Sequence, residues 1–102
     1  MVKGKKDLIV VDGTIKETIS EPNIPSLEAI GGTGDTITGM LSTFIYNGMD
    51  PWQACWIAGM ANRHAGAILN PTPATKISEL IRIFPKVFKE NLSHWSGTCA
   101  LV

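Results

Sequence analysis

The segment Gly31-Gly32-Thr33-Gly34-Asp35 constrains this chain more than any other. Three glycines within four residues remove the side chains that would hold a ligand away from the backbone. They also permit the dihedrals that turn successive amides to one side. From Asp35 onward, Ile37, Met40, Leu41, Phe44 and Ile45 recur at helical spacing and form one apolar stripe. The glycine turn therefore opens a helix, and the first amides of a helix have no intrahelical partner. Such a corner suits an anion, because phosphate oxygens accept from those amides and are favoured by the helix dipole. Spacing excludes two commoner motifs. No Gly-Lys-Ser/Thr follows, and after Gly34 the next glycine is Gly39, too late for GxGxxG. The plain alternative is a structural turn with no ligand.

Asp35 carries the chemistry of this corner. Its simplest role is to cap the helix, where a carboxylate is favoured by the amides. Its chemical role is to accept a proton from a bound hydroxyl as that hydroxyl attacks phosphorus. The amides around it stabilise charge on the transferred phosphoryl group. Thr33 adds a hydroxyl donor, whereas Thr36 and Thr38 need do no more than satisfy nearby backbone groups.

Upstream, Leu8-Ile9-Val10-Val11 is a short β-branched run, Asp12-Gly13 a strong turn signal and Thr14–Ile19 a second strand. Residues 1–19 thus predict a hairpin and 20–30, with Pro22 and Pro25, a loop. Residues 31–92 hold the anion-binding turn and the helices, and 93–102 form a tail in which Trp95, Leu101 and Val102 can pack. Asn47-Gly48 closes the first helix. Asp50-Pro51 starts the second, which runs to about Leu69 before Pro71 stops it. Its Ala54, Ala58, Gly59, Ala61, Ala65 and Gly66 invite close approach by another backbone. Pro71–Thr75 is a turn with threonines suited to capping. Ile77, Leu80, Ile81 and Phe84 form a further stripe that Pro85 interrupts or restarts.

Two strands alone are marginal in water. A self-contained α+β domain and a fragment of a larger α/β domain both fit this order. With 44% hydrophobic and 18% charged residues among 102, the chain is globular rather than disordered. Lys+Arg and Asp+Glu both number 9, which leaves no net charge to direct it to nucleic acid or an acidic membrane. Lys3, Lys5 and Lys6 are too few for a polybasic patch. Cys55 and Cys99 lack CxxC spacing and read as free thiols of a reducing compartment. With no apolar run of about 18 residues and no secretory signal, the expected location is cytoplasmic. Neither histidine has a metal-site partner set, so no metal ligands are assigned.

The stretch Gly31–Gly39 resembles the signature near the C-terminus of ribokinase-like enzymes, closest to their NAD(P)H-hydrate dehydratase branch. Val2-Lys3-Gly4 and Asp7 before the first strand, the Asn47–Trp52 linker and the small-residue helix with His64-Ala65-Gly66 fit the same branch. The likeness covers most of residues 2–90. It implies an α/β fold of which this chain is the C-terminal portion, a β-hairpin followed by three or four helices. It also implies an activity: ATP or ADP drives removal of water from hydrated NADH or NADPH, which repairs a damaged cofactor. A phosphoryl group passes to the hydrate's hydroxyl, and phosphate is then lost. Asp35 acts on that hydroxyl, the backbone of Gly32, Thr33 and Gly34 forms the anion hole, and any Mg2+ arrives with the nucleotide.

Lys3 either contacts a phosphate or is an exposed lysine near the terminus. Asn62 and Arg63 either border the nucleotide pocket or face solvent. Aligning Ala65-Gly66 places Asn62 and Ala67 where this branch often has a histidine and an aspartate. His64 is displaced from that position and reads as structural. The resemblance also implies a longer complete domain, and the hairpin edge predicts a homo-oligomer or a complementing N-terminal segment. The alternatives are a small-molecule or sugar kinase of the same superfamily and a noncatalytic remnant or assembly subdomain.

Overall fold

A computed structural model describes residues 1, 4–24, 27, 32–72 and 74–99, with backbone alone from 92 to 99. Strands β1 (Asp7–Val11) and β2 (Thr14–Ile19) form an antiparallel hairpin, followed by helices α1 (Thr33–Tyr46), α2 (Pro51–Leu69) and α3 (Ile77–Cys99). The architecture is α/β, a hairpin and three helices. Asp12 and Gly13 both take positive φ, 52° and 78°. These are the dihedrals of a two-residue turn whose twist matches the strands it joins. The register shifts between Ile9, opposite Glu17, and Val10, opposite Ile15. Lys16 is therefore the extra residue of a bulge, and its ammonium sits 5.2 Å from the centroid of Trp52 at the start of α2.

Helix α2 is the centre of the molecule. Asp50 caps it by accepting from the Trp52 amide, and Asn70, left-handed at φ 50°, ends it. Ala54, Ile57, Ala58, Gly59, Ala61, Asn62, Arg63, Ala65 and Gly66 are all buried, so the helix is covered almost all round. Its small residues are where neighbours come closest. A Cβ on Gly59 would lie 2.7 Å from Ile19 Cδ1, and one on Gly66 would lie 2.5 Å from Leu27 Cδ1. The hairpin and the loop rest there, while Ile57, Ala61 and Ala65 join Leu80, Phe84 and Val87 of α3 in the main core. Phe44 of α1 meets Phe88 of α3 edge to face, 5.8 Å between centroids.

Asn47-Gly48 closes α1 as expected, while α3 departs from expectation. Asn47 keeps a negative φ of −84°, and Gly48 alone takes the left-handed turn at 94°. The amides of Gly48 and Met49 then reach back to Ile45 and Phe44 carbonyls, which closes the helix end. Pro85 lies inside α3 rather than ending it. The lost hydrogen bond falls at the Ile81 carbonyl, on a side where both Ile81 and Pro85 are exposed and water can replace it. The helix also continues through residues 93–99, the stretch expected to be a tail. Thr72 and Thr75 bond each other's turn instead of capping α3; Glu79 accepts from the Lys76 amide there. The packing of Trp95, Leu101 and Val102 lies outside the described residues.

Candidate functional site

The start of α1 is an uncapped corner. Gly32 is the N-cap residue in a left-handed conformation, φ 94° and ψ 0°, with no side-chain cap hydrogen bond. Glycine is required twice over here, since a Cβ would be strained by that φ and would sit 3.3 Å from Ile77 Cγ1. The first helical bond is Thr36 N–H to the Gly32 carbonyl at 3.0 Å. The amides of Thr33, Gly34 and Asp35 precede it and have no helical acceptor to use. Gly34 is exposed, and a Cβ built on it would meet nothing within 4 Å. Thr36 donates to the Thr33 carbonyl at 2.8 Å and Thr38 to the Gly34 carbonyl at 2.9 Å. Both threonines thus support the first turn, as expected.

Asp35 is not the cap. It occupies the third position of the helix, is exposed, and Gly32 holds the capping place. Asp35 thus lies in the first turn of a helix whose dipole favours its charge, without being its cap.

Beside this corner lies a cavity of about 290 Å³, lined by Gly4, Asn23, Ile24, Leu27, Thr33, Asn62 and Arg63. Thr33 and Asn62, more than twenty-five residues apart in sequence, share its wall. Half-buried Gly32 and exposed Gly34 and Asp35 are not among the described lining residues. Lys3 and Gly31 lie outside the described residues, although Gly4, next to Lys3, lines the cavity.

Asn62 and Arg63 are both buried, not solvent-facing, and they differ sharply. Arg63 Nε bonds Asp7 Oδ2 at 2.9 Å, with the two side chains 6% and 0% exposed. Its other nitrogens donate to the carbonyls of Ser20, Pro22, Gly4 and Lys5. Asp7 Oδ1 accepts from the Gly4 amide in turn. One guanidinium therefore fastens both ends of the hairpin to α2, and its donors are committed before any ligand arrives. Asn62 is 2% exposed, and its Oδ1 has no hydrogen-bond partner among the described residues. His64 is half-buried, and burial pushes its pKa below the ordinary value.

Sequence reasoning missed the Asp7–Arg63 pair. The available signal was a long charged residue inside a run of Ala and Gly on a helix otherwise poor in large side chains. Among the described residues no group of three or more His, Cys, Asp or Glu could hold a metal ion. No helix among them is long and apolar enough to cross a membrane. Cys55 is a free thiol.

The chain matches the model of the NAD(P)H-hydrate dehydratase (Carb_kinase) family over residues 1–86. It is 37% identical over 92 residues to an uncharacterized protein of Methanocaldococcus jannaschii, covering 90% of this chain and 40% of the relative. It is 30% identical over 91 residues to the bifunctional NAD(P)H-hydrate repair enzyme Nnr of Pyrobaculum aerophilum, covering 87% of this chain and 18% of that enzyme. The enzyme of the same name from Hyperthermus butylicus is 34% identical over 68 residues, 67% of this chain and 12% of its own length. The chain thus spans well under half the length of each of these relatives. No solved structure shows significant similarity.

Proposed function

The chain belongs to the NAD(P)H-hydrate dehydratase family, and from that premise we propose that it supplies the phosphate-binding and catalytic-aspartate segment of a nucleotide-dependent dehydratase acting on hydrated NADH or NADPH. The observation that carries this reading is the start of α1 without a side-chain cap, with left-handed Gly32, open Gly34 and exposed Asp35 within four residues. ATP or ADP, when bound, supplies the phosphoryl group that turns a hydroxyl into a leaving group. The amides of Thr33 and Gly34 hold phosphate oxygens and stabilise their charge. Asp35 takes the proton from the substrate hydroxyl as its oxygen bonds to phosphorus. Loss of phosphate from that carbon, with a proton leaving the neighbouring carbon as the double bond forms, then completes the net removal of water. Lys3 and Asn62 complete the proposed binding set, Lys3 as a cation beside the phosphates and Asn62 on the cavity wall.

The test is turnover of hydrated NADH with ATP or ADP, followed by recovery of NADH absorbance. It is run on the full chain alone and with the additional segment its relatives carry. Asp35→Asn is expected to lower the rate by at least about 100-fold while leaving the melting temperature nearly unchanged. A fully active Asp35→Asn protein removes Asp35 from the chemistry. Phosphorylation of a sugar or vitamin alcohol without cofactor repair would transfer the same site to a kinase.

A further inference from the structure

Two unsatisfied features of opposite polarity meet at the cavity. On one side is the start of α1, where Thr33 lines the wall and the first amides need an acceptor. On the other is Asn62, 2% exposed, whose Oδ1 has no partner among the described residues and therefore needs a donor. A buried amide oxygen without a partner keeps its desolvation penalty uncompensated. Replacement by an apolar side chain of similar size would remove that cost, and its neighbours Ala58, Ala61 and Ala65 show how readily α2 accommodates apolar residues. Arg63 cannot relieve it, since its nitrogens are engaged by Asp7 and by hairpin carbonyls.

We propose that Asn62 reads a hydrogen-bond donor on the ligand: the cavity takes a phosphorylated molecule that also carries a hydroxyl or amino group, and Asn62 Oδ1 accepts from that group. The proposal rests on reading the start of α1 as an anion site, and it adds a specificity element to that site. The anion is held by backbone amides that any phosphate satisfies. Discrimination falls to Asn62, because a ligand without the donor leaves its oxygen buried and unpaired while a ligand with the donor satisfies it. The two halves of the cavity thus divide the work, α1 providing attraction and α2 selection.

The experiment is calorimetric titration of the full chain with two probes, ADP and pyrophosphate. Both carry phosphate oxygens, and only ADP adds ribose hydroxyls and an amino group. Asn62→Leu is expected to weaken ADP about ten-fold, the loss of one hydrogen bond at the upper end of its usual range. It should leave pyrophosphate binding unchanged and raise the melting temperature, because a buried unpartnered polar group has gone. Asn62→Ala should weaken ADP similarly even though its void lowers the melting temperature, which separates recognition from stability. Unchanged ADP affinity in Asn62→Leu, or equal losses for both probes, overturns the donor-reading role while the anion site stands. A wild-type chain with no affinity for pyrophosphate overturns the anion site itself, and the role of Asn62 falls with it.

Discussion

Helices α1 and α2 are neighbours built from similar small and apolar residues, yet they spend them in opposite ways. Over α1 only Ile37 is buried, its start has no side-chain cap hydrogen bond, and a Cβ built on Gly34 or Gly39 would meet nothing within 4 Å. Over α2 nine residues are buried, and its glycines are the points where Ile19 and Leu27 press against the helix. A residue on α2 is fixed by what touches it from several sides. At the start of α1, Gly34 and Asp35 are exposed and are held more by backbone conformation than by packing. The lesson is a division between scaffold and proposed working surface: α2 holds the hairpin, the loop and α3 in place, and the anion site proposed at the start of α1 draws on amides that helix geometry leaves without an intrahelical partner. Asn62 is the exception on α2, and the cavity is where the two helices exchange roles.

The largest test of that contrast is the Asp7–Arg63 pair. Arg63→Met keeps most of the apolar stem but strands the Asp7 carboxylate in a fully buried position. Removing one partner of a buried pair typically costs about 3–5 kcal/mol. That is a large share of the roughly 5–15 kcal/mol available to a domain of this size. Urea unfolding should show this loss, and Asp7→Asn combined with Arg63→Met should recover part of it because no lone charge remains. A loss below about 1 kcal/mol in Arg63→Met, within the range of an exposed pair, would mean that α2 does not clamp the hairpin.

How much of this was legible beforehand divides along the same line. The hairpin turn at Asp12-Gly13 and the start of α2 at Asp50-Pro51 could be read because local chemistry decides them. The end of α1 was read to within one residue, Gly48 and not Asn47 taking the left-handed position. The continuity of α3 through Pro85 was not legible. It depends on which face of the helix meets water, a property of the packed molecule. Nor was the Asp7–Arg63 bond, whose partners are 56 residues apart, or the cavity shared by Thr33 and Asn62. At the candidate site, the glycine turn was visible as a turn, but the assignment of Asp35 as its possible cap yields to Gly32. A glycine supplies the cap position through its dihedral, which leaves no side-chain signature.

A matched pair of glycine substitutions sharpens the comparison at intermediate size. Gly39→Ala on α1 places its Cβ in space with nothing within 4 Å. It should therefore collect most of the helix-propensity gain, up to about 1 kcal/mol. Gly66→Ala on α2 offers the same gain but drives its Cβ to within 2.5–2.8 Å of three carbons of Leu27. Leu27 is buried and cannot simply swing into solvent, so overpacking of about 1–3 kcal/mol should dominate. The two changes are chemically identical, and thermal melts should move in opposite directions. If both stabilise the chain, the tight seat of Leu27 on α2 is not a real constraint.

The smallest expected effect is one of pH, again on α2. Burial lowers the pKa of His64 in the folded chain, because the charged imidazolium is the form that loses solvation. Between the lowered folded value and the ordinary unfolded one, the unfolded chain binds more protons, so stability rises with pH across that window. The contribution of neutral His64 is therefore present above the ordinary histidine pKa and lost as pH falls through the lowered one. Melting temperatures of the wild type and His64→Gln, measured from neutral pH downward, should converge or cross as the wild type loses this contribution. The side chain is only half-buried, so water screens the effect and the difference should be the least of those described here. Parallel melting curves across the whole range would show that His64 is as well solvated in the folded chain as in the unfolded one.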